Sequence, residues 1–220
     1  LSLPLSSLDI SRRNLALRGE ESFAKVMDMA EYARREINEI GGYYAYGKEL
    51  VNGTSVYDYD VTKLSVHTLG LGLAGIEVYD LLRDEYDIQI EFGDVSNILA
   101  YISIGDRLQD IERLVGALAD IARIYKKDST GMLSGEFISP IVARSPQEAF
   151  YSAKESLPVE KTEGRISGEF VMCYPPGIPI LAPGEMITDE IIQYILYVKE
   201  KGCSMQGTED KSVNKLKVLV

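Results

Sequence analysis

The segment Gly70-Leu71-Gly72-Leu73-Ala74-Gly75 has the spacing best suited to chemistry in this chain. It fits G-x-G-x-x-G, comes after a run that alternates like a strand, and opens a helical run. A short apolar stretch ending in Glu91 comes next. In that setting glycines let the backbone approach a pyrophosphate, the helix start offers N–H groups, and the acid takes a ribose hydroxyl. The same glycines also make a tight strand-to-helix turn with no ligand at all. After Glu91 the chain offers one more strand and one long helix before its character changes, too little for a doubly wound sheet. The expectation is a structural turn, with dinucleotide binding through Gly70–Gly75 a remote alternative.

Other reactive residue types are sparse or poorly placed. His67 is the only histidine. It has no Cys, Asp or second His at ligand spacing, so a packed or hydrogen-bonded role is expected and no metal site. Cys173 and Cys203 form no close-spaced metal or redox motif. The acid pairs Glu20-Glu21 and Asp189-Glu190 read as helix-start residues. Ser6, Ser7 and Ser55 have no base nearby in sequence. Tyr43, Tyr44, Tyr46, Tyr57 and Tyr59 read as strand packing, with a ligand-stacking wall as the lesser alternative.

The elements that must carry these residues are legible from periodicity. A short helix is expected over 5–18. A longer one is built on Phe23, Val26, Met27, Ala30, Ala33, Ile37 and Ile40, stopped by Gly41-Gly42. Strands are expected at 43–46, around Leu64–Thr68, at 88–91 and at 97–103, with helices from the glycine turn to about Glu85 and over 106–126. Residues 127–140 read as a linker or long loop. Beyond it, Ser145-Pro146-Gln147-Glu148 is a capping box that starts a helix running to about Lys154. Strands at 169–173 and 178–181, a Thr188-capped helix ended by Gly202, and a strand at 215–220 complete a mixed α and β layout in two units.

Composition excludes several classes. The 220 residues carry 23 Lys and Arg against 34 Asp and Glu, a net charge of −11. That balance lacks the basic footprint of a phosphate-tracking nucleic-acid binder and argues against adhesion to an anionic membrane. With 45% hydrophobic and 26% charged residues the chain has the make-up of a soluble, cored protein. No apolar run approaches the ~20 residues of a membrane span, and residues 1–20 lack the pattern of a signal peptide. A cytoplasmic protein is expected.

Longer stretches read together resemble one family. Ser6-Ser7-Leu8-Asp9-Ile10-Ser11-Arg12-Arg13 is similar to a helix of the bacterial ornithine/lysine/arginine decarboxylases, pyridoxal-phosphate enzymes of the aminotransferase-like fold type I. The run from Thr62 through Gly70, Gly75, Ile88, Glu91, Asp94 and Asn97-Ile98-Leu99 to Ser103-Ile104-Gly105-Asp106 resembles the next stretch of that family. Ser145–Phe150 and Gly164–Ser167 also match. Tyr174-Pro175-Pro176-Gly177-Ile178-Pro179-Ile180-Leu181-Ala182-Pro183-Gly184-Glu185 is close to the signature of the family's C-terminal domain.

The resemblance implies a small domain and connecting helix over 1–130, then a separate α+β C-terminal domain over 131–220. It also implies what is missing. In the family the cofactor sits on a lysine of a Ser-x-His-Lys segment in an upstream large domain, whereas His67 here precedes Thr68. Pyridoxal phosphate supplies the electron sink that decarboxylation needs. The resemblance therefore implies the C-terminal part of a decarboxylase of arginine, lysine or ornithine, inactive alone. Its expected partners are a large cofactor-binding domain or chain, further copies in an oligomer, and a basic amino acid. A non-catalytic stand-alone relative that binds or regulates a partner is the alternative. No cofactor-binding residue is expected within this chain. The one substrate-facing candidate is Glu185; the competing readings are a loop that clamps the C-terminal unit to the rest of the enzyme, or an acid that caps or precedes the Thr188 helix.

Overall fold

The structure is a computed structural model, and it describes residues 2–129, 138–174 and 176–220. The N-terminal expectation of two helices is corrected: one helix, α1 (Ser2–Ile40), runs unbroken. A lone mid-helix glycine costs only about 1 kcal/mol, and Gly19 lies on an exposed stretch where nothing forces a break. Glu20 and Glu21 are consequently mid-helix rather than helix-start residues, and Glu21 pairs with Lys25 one turn on. Only the C-terminal half of α1 is packed, through Val26, Ala30, Ala33 and Ile37. Leu3, Leu5, Leu8, Ile10 and Leu17 on the other half stand more than half exposed. Gly41 and Gly42, both at positive φ, end the helix.

A four-stranded antiparallel sheet comes next, in the order β1-β2-β4-β3. Its strands are β1 (Tyr44–Ala45), β2 (Lys63–His67), β3 (Phe92–Gly93) and β4 (Asn97–Tyr101). The period-2 rule sorts the two faces. Ala45, Leu64, Val66, Ile98 and Ala100 point inward and share one core with α1, α2 (Gly75–Tyr86) and α3 (Leu108–Ile124). The strand expected at 88–91 is displaced to Phe92–Gly93, which stand opposite Leu99 and Ile98; of the expected residues Glu91 joins the ladder through its N–H, donated to the Leu99 carbonyl at 3.0 Å. Tyr43, one of the tyrosines read as packing, is buried and donates its hydroxyl to the Leu118 carbonyl at 3.1 Å.

The linker expected over 127–140 falls largely outside the described residues. After it, α4 (Pro146–Tyr151) is shorter than expected, and its cap is as the sequence implies: Ser145 Oγ accepts from the Glu148 N–H, while Glu148 reaches back to the Ser145 N–H. Ser145→Ala is expected to lower stability by about 1 kcal/mol, read as a shift in the urea midpoint with an unchanged slope. Two strands that periodicity missed complete the sheets. β5 (Lys154–Pro158) pairs antiparallel with β9 (Lys215–Leu219). β6 (Val171–Tyr174) lies between β7 (Ile178–Leu181) and β8 (Ser204–Gln206). Their inner faces pack with α5 (Asp189–Glu200) around Val171, Leu181, Ile187, Ile191, Ile195 and Leu216. Thr188 caps α5 through the Ile191 N–H, with Asp189 and Glu190 in its first turn.

Candidate functional site

The proline-rich segment after β6 is the strongest sequence signal, and its geometry is that of a strap held at both ends. Gly177, at φ +92°, donates its N–H to the Cys173 carbonyl at 2.8 Å and turns the chain back into β7. Gly184, at φ +94°, is gripped by three backbone hydrogen bonds: its N–H reaches the Ser167 carbonyl, and its carbonyl receives Ala143 and Arg144. Glu185 is half-buried next to it. Its backbone bridges Val142 and receives the Ser167 N–H at 2.8 Å, while its carboxylate accepts the Ala182 N–H at 2.8 Å. The acid thus closes its own turn.

A groove of about 540 Å³ opens beside this strap, lined by Arg144, Glu148, Tyr151, Arg165, Ile166 and Leu219 among others. Glu185 is not on its wall. Arg165 is already committed there, to Glu155 at 2.6 Å and the Leu219 carbonyl at 2.7 Å.

The structure disperses the other sequence candidates. In the glycine turn, a Cβ on Gly70 would lie 2.6 Å from the Gly42 carbonyl oxygen, and one on Gly75 would lie 2.0 Å from that of Asn97. The space a pyrophosphate would need is filled by the chain's own backbone. The sheet beside the turn is antiparallel throughout, without the parallel β-α-β unit of a dinucleotide site. Ser7 donates to Pro4, and Ser55 accepts from Asn52, so both serines serve local turns.

Three of the remaining candidates meet on the outer face of the first sheet. His67 Nδ1 and the Tyr46 hydroxyl both approach Asn97 Oδ1 at 3.3 Å, and Tyr44 packs edge-on against Tyr46. Tyr44 donates to Glu49, whose carboxyl is held below the usual range chiefly by backbone hydrogen bonding and then by that hydroxyl. Tyr59 donates to the Tyr46 and Lys63 carbonyls, and Tyr57 is exposed. This is a polar, aromatic surface in place of a catalytic triad.

Two features escaped the sequence reading. Arg34 is buried in α1, donating to the Tyr46 carbonyl at 2.5 Å and the Val61 carbonyl at 3.1 Å, with Glu31 at 3.3 Å. It fastens the tyrosine-rich loop to the helix. A charge set against the stripe of Ala30, Ala33 and Ile37 is its only signal. The second is that Cys173 and Cys203, far apart in sequence, share one buried cluster with Val95 and Val198.

With this geometry in hand, comparisons with known proteins identify the scaffold. Residues 134–211 match the family described as Orn/Lys/Arg decarboxylase, C-terminal domain. The chain is 38% identical to an arginine decarboxylase of Bacillus subtilis (strain 168), covering 99% of this chain and 45% of that protein. It is 39% identical to an arginine decarboxylase of Halalkalibacterium halodurans over 99% of this chain and 45% of that protein. Among solved structures, the lysine decarboxylase LdcF of Francisella novicida superposes with a TM-score of 0.64 at 19% identity, over 92% of this chain and 40% of that one. The constitutive lysine decarboxylase of E. coli gives 0.63 at 18% identity, over 92% and 41%. The chain spans less than half the length of these relatives. Its mixed α and β architecture is that of the corresponding part of those fold type I structures, and the chain belongs to the Orn/Lys/Arg decarboxylase family, with the family's C-terminal domain at residues 134–211.

Proposed function

We propose that this chain is the C-terminal part of a pyridoxal-phosphate-dependent decarboxylase of a basic amino acid, with arginine the first candidate. Residues 1–130 supply the small domain and connecting helix, and 131–220 the C-terminal domain. The observation that carries the reading is near-complete coverage of this chain by arginine decarboxylases at 38–39% identity. The lysine enzyme of E. coli matches at 30% over only 47% of it.

The residues of this chain do not fit the cofactor by themselves. His67 precedes Thr68 rather than a lysine, and several lysines are committed elsewhere. Lys127 pairs with Glu77, Lys199 with Asn214, Lys154 with the Phe150 carbonyl, and Lys63 sits over the Tyr101 ring. When bound, the cofactor supplies an electron sink for loss of carbon dioxide. We assign its attachment to the remainder of the protein and derive no step through it. The exposed apolar half of α1 supports the same reading: Leu3, Leu5, Leu8, Ile10 and Leu17 form a surface that the remainder, or a further copy in a homo-oligomer, would cover. Among the described residues no helix is long and apolar enough to cross a membrane, in keeping with a cytoplasmic enzyme.

Glu185 then acts as a clamp, because its carboxylate is spent on the Ala182 N–H. Release of labelled carbon dioxide by the complete protein tests both statements. Arginine is expected to be turned over with a kcat/KM at least tenfold above lysine or ornithine. Glu185→Gln is expected to leave KM for arginine unchanged while Tm falls by a few degrees. No release from any of the three substrates overturns the function. A raised KM with unchanged Tm returns Glu185 to substrate recognition.

A further inference from the structure

Cys173 and Cys203 are the only cysteines of the chain, thirty positions apart. Topology makes them neighbours. Cys173 lies on β6, and β8 pairs with β6 so that Met205 stands opposite Cys173. Cys203 enters that strand directly after Gly202, which ends α5. Both side chains are buried, at 6% and 7% exposure, in a cluster with Val95 and Val198 that Ile76, Tyr194 and Tyr197 close. Val95 and Ile76 come from the first sheet-and-helix unit and the rest from the second, so the thiols sit at the seam between the two. Cys203 stands two positions before Met205 and so faces the same side as Cys173. The interaction between the two thiols holds that of Cys203 below its ordinary range and that of Cys173 above its own.

The Cys203 N–H is anchored on the Val198 carbonyl at 3.1 Å. Gly202 beside it has positive φ and open space where a Cβ would stand. Closing the pair requires this turn to bring the two sulfurs to the ~2.05 Å of a bond.

We propose that Cys173 and Cys203 are a dithiol modification site, which a hydroperoxide converts into an intramolecular disulfide across the seam. The Cys203 thiol gives up its proton and the thiolate attacks the peroxide oxygen, breaking the O–O bond; the leaving hydroxide or alkoxide takes up that proton as water or alcohol, and Cys203 is left as a sulfenic acid. The Cys173 sulfur then attacks that sulfur, forming S–S and expelling hydroxide, which leaves as water with the Cys173 proton. Two thiols lose two electrons and two protons in all, and the peroxide gains them. The product ties the α5–β8 turn to β6 where Ile76 and Val95 dock, and constrains the unfolded chain through the closed loop.

The test exposes the reduced, folded protein to hydrogen peroxide, then blocks free thiols with iodoacetamide in denaturant and maps peptides without reduction. A peptide pair linked through Cys173 and Cys203, two hydrogens lighter than the sum of its parts, is expected as the main product. Its Tm should exceed that of the reduced protein by several degrees, and dithiothreitol should reverse both changes. Cys173→Ser should divert Cys203 to a sulfenic or sulfinic acid with no link. The proposal is overturned if both cysteines are recovered alkylated after a treatment that fully oxidises free glutathione. It is equally overturned if the wild-type protein accumulates sulfinic acid on Cys203 without the linked pair.

Discussion

Replacing Gly75 by alanine is expected to destabilise the protein by roughly 3 kcal/mol, a clash figure at the upper end of the usual overpacking range. At the start of α2, helix preference alone would favour alanine by up to about 1 kcal/mol. Contact decides the sign. The new Cβ would stand 2.0 Å from the Asn97 carbonyl oxygen and 2.7 Å from that of Asp94. Both are backbone atoms held by hydrogen bonds, Asn97 to the Asp94 N–H and Asp94 to the Ile76 N–H. Neither can swing away as a side-chain tip would, so β4 or α2 must move. Thermal unfolding should show Tm lower by roughly 5–10 °C. Gly116→Ala is the matching control: it sits on the exposed face of α3 with open space around it, and should be neutral or stabilising by up to about 1 kcal/mol. If Gly75→Ala proves as harmless as Gly116→Ala, the close packing of the glycine turn is wrong and the ligand reading of Gly70–Gly75 reopens.

Gly184→Ala is expected to cost about as much, on the order of 3–4 kcal/mol, and for two reasons that add. Its φ of +94° lies where side chains are strained by about 1–3 kcal/mol. In addition, its Cβ would press to 2.3 Å on the Arg144 carbonyl oxygen. That backbone contact fastens residues 142–144 to the strap carrying Glu185. Losing it should also free the strap locally, so limited proteolysis should cut between 174 and 185 at least tenfold faster than in the parent. An unchanged Tm and digestion pattern would show that the strap is not the clamp described.

How much of the fold is legible in the sequence depends on where each element gets its stability. α3 and α5 carry their own apolar stripes and caps, so period and punctuation locate them to within a few residues. β2 and β4 alternate cleanly between core and surface, as Leu64 and Val66 show. β5 cannot be found that way. Lys154-Glu155-Ser156 has little strand preference, and pairing with β9 alone makes it a strand. β3 slips from 88–91 to 92–93 because an apolar run marks burial, whereas hydrogen-bond partners mark the strand.

Periodicity divides the long α1 in two because its first half has no packing partner among the described residues to impose a stripe. The candidate site shows the same division. Caps and glycine turns are local and can be read, whereas the meeting of Cys173 with Cys203, or of Arg34 with Tyr46 and Val61, depends on chain return. The resemblance is visible because Tyr174–Glu185 is an uninterrupted run of unusual residues, among them Gly177 and Gly184 at positive φ.

The measurement that bears most directly on this account is the location of the cofactor lysine. The complete protein, saturated with pyridoxal phosphate, is reduced with borohydride and mapped by peptide mass. One stoichiometrically modified lysine is expected outside residues 1–220, and none on the isolated 1–220 chain treated in the same way. A single fully modified lysine within 1–220 would overturn the proposed function and would place the cofactor on residues of this chain.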